Sequence, residues 1–112
     1  PEFRWFYDFD TREPIFTANY WDYDYVYPHL YDATDKIVFE HERDRIEGAF
    51  MQHKDAVQVM VSDAMRDVQG LTGQWSVDVL LDEQCKFWLI DMAIAQRSAY
   101  WEMRPDKEKY SE

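Results

Sequence analysis

The chain is short of cysteine, glycine and positive charge, and each shortage removes a class of function. A single thiol, Cys85, cannot form an internal disulfide. Its expected place in an exposed turn suits a reducing compartment. Three glycines, Gly48, Gly70 and Gly73, are too scattered to build a Gly-rich phosphate loop. Only 12 Lys and Arg stand against 23 Asp and Glu, for a formal charge of -11. Such a chain repels nucleic-acid backbones and anionic membranes, so neither is an expected partner. A basic protein partner and a bound cation are both compatible with that charge. No apolar run reaches the roughly 20 residues of a transmembrane helix, and no signal peptide is visible. We therefore expect a cytoplasmic protein. His29, His41 and His53 lack the spacing of a zinc site.

What is present reads as one small domain. With 112 residues and 46% apolar content there is enough material for a core. The chain begins at Pro1 rather than Met, and we expect a fragment of a longer protein. Pro1, Glu2 and Phe3 are either native or a cloning remnant. Aromatic residues make up 18% of the chain. They gather before residue 31 and again at Trp75, Phe87, Trp88, Tyr100 and Trp101.

Phe3, Trp5, Tyr7 and Phe9 recur with period two, which predicts a half-buried strand. Residues 10–14 supply a turn, and residues 15–21 a second strand. Residues 22–31 are dense in Tyr and Asp and predict irregular chain. Helical character rises over 42–51, with Ile46 and Phe50 as an inward stripe. His53, Lys54 and Asp55 predict a break, with Asp55 as the N-cap of a second helix. Val57, Met60, Val61, Ala64 and Val68 follow at helical spacing, and Gly70 and Gly73 end the run. Residues 75–81 and 87–92 predict a second hairpin, followed by a turn and short helix containing Ala99, Tyr100 and Trp101. The expected domain spans residues 1–103, with 104–112 as a charged mobile tail. This order is α+β, an antiparallel sheet from two hairpins with two helices packed on one face.

The second hairpin holds the most informative feature. Each of its apolar runs carries one acid, Asp78 in the first and Asp91 in the second. A turn at 83–86 pairs Asp82 with Phe87 and Leu80 with Leu89, and so sets Asp78 directly opposite Asp91. Like charges across a ladder repel, and a divalent cation between them would relieve the repulsion. A shift of one residue would instead send the two acids to opposite faces.

Trp75, Val77, Asp78 and Val79, with Asp91 thirteen positions after Asp78, resemble the C-terminal metal-binding hairpin of the ATP-grasp family of carboxylate–amine ligases. Glu2, Arg4 and Phe6, followed by residues 15–21, are similar to that family's E-x-R-x-F strand and its partner. The likeness touches roughly residues 2–101. It implies the C-terminal half of an ATP-grasp unit, with Mg2+ and ATP as cofactors. A small-molecule carboxylate would be activated as an acyl-phosphate and then attacked by an amine. It implies Asp78 and Asp91 as metal ligands and Arg4 as a ligand of phosphate or carboxylate, a role that Arg97 also suits. The remainder of the parent protein is then an obligatory partner. The chain departs from the pattern in three places. Ala93 stands where the family has an asparagine ligand, Asp91 where Glu is common, and Cys85 where a glycine is common. The half that would supply the lysine and the phosphate-covering loop lies outside this chain, which alone should be a poor ATPase.

A second reading needs none of these acids. Asp22, Asp24, Asp32 and Asp35, with Tyr20, Tyr23, Tyr25 and Tyr27, could form an acidic, aromatic surface. Such a surface would imitate phosphate charge in the basic cleft of a nucleic-acid-handling protein. Arg4 has a plainer role open to it as well, an ion pair with a nearby acid such as Asp8 or Glu13.

Overall fold

A computed structural model of the chain describes residues 2–110. The expectations for Pro1 and for the last two residues of the tail fall outside them. Strands β1 (Glu2–Asp8) and β2 (Glu13–Asn19) form one hairpin, and β3 (Gln74–Leu81) and β4 (Phe87–Ile94) the other. The hairpins join into one antiparallel sheet in the order β2-β1-β3-β4. The α+β class and the two hairpins stand as the sequence implied.

The helical region differs. A short helix, α1 (Tyr23–Val26), lies in the Tyr/Asp segment, and a single 34-residue helix, α2 (Ala33–Arg66), replaces the expected pair. No break occurs at His53, Lys54 and Asp55, because none of these residues obstructs a helix; Asp55 is exposed, and His53 and Lys54 are half-buried. Asp55 is not a cap. Asp32 is, its carboxylate accepting from Thr34 N at 2.7 Å and Asp35 N at 3.3 Å. Gly48 costs the helix about 1 kcal/mol relative to Ala but does not stop it. Phe50, Val57, Val61 and Met65 follow one another by seven, four and four residues, a single face running through the expected break. Met65 rather than Ala64 is the buried member.

That face packs on Phe3, Trp5, Tyr7 and Phe9 of the first hairpin and on Val77, Val79 and Leu81 of β3. These aromatics share one side of the sheet, as their period required. Each aliphatic side chain fully buried there contributes roughly 1.5–3 kcal/mol. The opposite side of the sheet is also covered, by the chain after β4. Phe6 and Ala18 pack there with Ala95, Tyr100 and Trp101, and with Tyr25 from α1. The 3-10 turns Ala95–Arg97 and Trp101–Met103 carry this strap across. Its end is tied down too. Buried Arg104 donates to the carbonyls of Trp101 and Tyr110, and its guanidinium lies over the Trp101 ring.

Glycine freedom matters at Gly73, where φ is 75°. Its N–H donates to Asp10 Oδ1 at 3.0 Å and its carbonyl accepts from Phe9 N at 2.9 Å, which ties the entry of β3 to the first turn. No helix among the described residues is long and apolar enough to cross a membrane.

Candidate functional site

Strand order brings together residues that are far apart in sequence. Arg4 pairs with Asp78 across β1 and β3, and Asp78 with Asp91 across β3 and β4. The three form a row across three neighbouring strands, on the side of the sheet away from α2. The pairing of the two acids is as expected, but the ladder reaches it differently. The turn is one residue longer than expected, so Leu81 faces Phe87 and Val79 faces Leu89. A bulge at Ile90 adds one residue to β4 and restores Asp78 opposite Asp91.

Asp82 shapes that longer turn. Its Oδ1 accepts from Gln84 N at 2.9 Å and Lys86 N at 2.8 Å, and its Oδ2 accepts from Trp88 Nε1 at 2.9 Å. The Trp88 bond and then the Lys86 amide hold its carboxyl below the ordinary aspartate range. Cys85 takes a left-handed conformation, φ 60°, at the position where a glycine would be at ease.

Arg4 and Asp78 consume each other. Arg4 Nε donates to Oδ1 and Nη2 to Oδ2, both at 2.8 Å, in a two-pronged ion pair. The side chains are 14% and 10% exposed, so water screens the pair little. The Asp78 bond, which outweighs burial, raises the Arg4 pKa above its usual value. The pair replaces the partners considered from sequence, Asp8 and Glu13. Asp8 accepts instead from Asp10 N and Thr11 N in the first turn.

The strap closes over the pair. Arg4 Nη1 donates to Ala99 O at 3.4 Å, and its guanidinium lies 4.9 Å from the centre of the Tyr20 ring. Tyr100 Oη donates to Tyr20 O at 2.8 Å, and its ring packs 4.3 Å from that of Tyr25. Burial, more than the nearby Asp22, pushes the Tyr100 phenol well above its ordinary pKa. Tyr100 has φ 74° and ψ -8°. That left-handed conformation is strained for a bulky side chain, of order 1–3 kcal/mol, and persists where surrounding contacts enforce it. Ser76 and Ser98 add a hydroxyl pair at 2.7 Å between β3 and the strap.

The remaining expected residues are less engaged. Asp91 is exposed, with Oδ1 accepting from Met92 N at 2.8 Å. Arg97 is exposed on the turn after β4, away from any ion pair among the described residues. As a donor set for a hard cation, the two aspartates fit in kind. Asp91 is open to solvent, but both oxygens of Asp78 already serve Arg4. No group of three or more His, Cys, Asp or Glu among the described residues converges in a way that could hold a metal.

The Tyr/Asp segment is built inward. Asp22 caps α1 through Tyr25 N, and Asp32 caps α2. Tyr23 stacks on Tyr27 and Phe39, with Arg43 4.1 Å from its ring centre. Tyr20 and Tyr25 belong to the strap side of the sheet. Among the described residues, Asp24 and Asp35 are the acids of this segment that act as no cap.

The sequence reading gave Ser76 and Ser98 no role, placed Tyr20 in the acidic aromatic surface and Tyr100 only in a short helix, and missed that Arg4 and Asp78 are partners. The signal for the pairing was the strand order. Once β1 lies beside β3 in antiparallel register, the one base of β1 falls opposite the one acid of β3. Compared with known proteins, the chain matches no protein-family model, no curated protein and no solved structure.

Proposed function

We propose that this chain is the C-terminal part of an ATP-grasp-like carboxylate–amine ligase of the cytoplasm, working with Mg2+ and ATP once joined to the rest of its parent protein. The observation that carries the reading is the row Arg4–Asp78–Asp91 on three adjacent strands. A base and two acids side by side on one sheet face suit a phosphate chain and the cations that accompany it. The hairpin–helix–hairpin order agrees with the resemblance drawn from sequence.

In this reading Asp78 and Asp91 hold the cation. Arg4 and Arg97 bind phosphate or the substrate carboxylate. Bound magnesium would supply charge neutralisation as phosphate oxygens shift in phosphoryl transfer. The chain's own residues bind and orient. Arg4 fixes the rotamer of Asp78 through its two-pronged contact, and the strap of Ser98 to Tyr100 limits water at the pair. Asp78 becomes available to a cation only when Arg4 turns to another anion, and phosphate is the natural one. Metal and nucleotide should therefore bind together more readily than either alone.

The test is a Mg2+ titration followed by NMR, with and without ATP, on this chain and on Asp91→Asn. We expect saturable shifts on β3, β4 and the Arg4 side chain that strengthen with ATP and vanish in the variant. Asp91 is the better position to change, because altering Asp78 also breaks the ion pair. No shifts at millimolar metal with ATP present would end the proposal.

A further inference from the structure

The N-terminal half of α2 runs past the end of the sheet and leaves a groove beneath it. The groove has a volume of about 480 Å³ and lies between α2 and the strand ends that carry Glu2, Asn19 and Leu80. Its apolar lining includes Trp21, Val38, Phe39, Ile46 and Leu80. Val38 and Trp21 are 56% and 41% exposed, large for side chains of that kind. The contributing residues of α2 run from Asp35 to Ala49 at helical spacing. That is a wall of about 21 Å, long enough for several turns of a second helix and longer than a small ligand needs.

The rim is acidic. Glu2, Asp35 and Glu42 line it against the single base Arg45, and Arg45 is ion-paired with Glu42. Glu2 and Asp35 have no ion-pair partner among the described residues. A second copy of the chain would bring another formal charge of -11 to this rim. Repulsion disfavours that occupant. We infer that the groove is a docking surface for a basic amphipathic helix, which seats an apolar stripe on Val38, Phe39 and Ile46 and sets Lys or Arg against Glu2 and Asp35. This inference is independent of the ligase reading, because it uses neither Asp78 nor Asp91.

The experiment separates groove seating from plain charge attraction. The 15N-labelled chain is titrated with an amphipathic Lys/Leu helical peptide of about four turns, and with its Glu/Leu counterpart. Val38→Asp and Ile37→Asp each add one acid to the same turn of α2, but only Val38 lines the groove. Both sites are largely exposed, and an unchanged far-UV spectrum confirms that each variant folds. We expect the basic peptide alone to bind, with shifts at Val38, Phe39, Ile46, Leu80 and the Trp21 indole. Val38→Asp should weaken binding about tenfold, while Ile37→Asp leaves it unchanged or slightly tighter. Equal effects of the two variants, binding of the acidic peptide, shifts elsewhere or no binding at millimolar peptide would each overturn the inference. So would concentration-dependent self-association that covers these residues.

Discussion

The two faces of the sheet are both covered, but by different physics. Under α2 the packing is mainly apolar, with Phe3, Trp5 and Tyr7 meeting Val57, Val61 and Met65, and its polar contacts lie at the helix end, where Arg12 donates to the carbonyls of Met65 and Val68. Under the strap, the packing of Phe6 and Trp101 adjoins an ion pair, a strained tyrosine and a serine pair. The first face depends on volume and shape, so its failures should be graded. The second depends on partners, so removing one member should cost more than its contact area suggests.

The largest expected effect breaks the partnered face. Asp78→Ala leaves the Arg4 guanidinium without its carboxylate, and we expect a loss of about 3 kcal/mol in urea unfolding. Replacing both members, with Arg4→Met and Asp78→Leu, should recover most of that loss, because well-packed apolar groups can substitute for a buried pair. A double variant no better than Asp78→Ala would show that the difference between the faces is not electrostatic. Next comes the graded face. Val61→Ala removes two methyl groups' worth of packing at a fully buried site and should cost about 2 kcal/mol by the same assay. Tyr100→Phe deletes one hydrogen bond to Tyr20 O while keeping the ring, and about 1 kcal/mol is expected. A larger loss would mean that the hydroxyl itself holds the strained backbone in place.

The smallest effect lies off both faces and sharpens the contrast through pH. The Asp82 carboxyl is held below its ordinary range chiefly by Trp88 and the Lys86 amide. An unfolded aspartate titrates near pH 3.9. The stabilisation is thus fully present above that value and is lost as pH falls through the lower folded pKa. The Trp88 indole proton should report this as a shift at acid pH, absent in Asp82→Asn. A shift centred in the ordinary aspartate range would remove Asp82 as the organiser of the turn.

The helix-covered face was legible because period and burial coincide there. The aromatics of β1 alternate, and the stripe of α2 keeps its spacing. The helix was misdivided because a cluster of charge at His53, Lys54 and Asp55 looks like a boundary, although only backbone chemistry makes one. The strap face was hidden for another reason. Its cover comes from chain after β4 whose 3-10 turns have no period to read, and its ion pair depends on β1 lying beside β3. The row of acids was found through a turn that proved one residue too short, with the bulge at Ile90 making up the difference. Asp91 was therefore placed correctly on an incorrect ladder. Arg4 was singled out for its charge, and the structure supplied the partner that decides what the charge does.

That bulge has a consequence for solubility. β4 is an outer strand whose Trp88, Leu89, Ile90 and Ile94 are all more than 40% exposed. A straight strand of this composition would template the stacking of further chains along its open amides and carbonyls. The extra residue at Ile90 kinks the strand midway, and the charge of Asp91 follows at once. A bulge and a charge placed together on an edge strand both disfavour the pairing of a further strand along it, so the apolar border of β4 is interrupted where a second copy would have to continue the ladder.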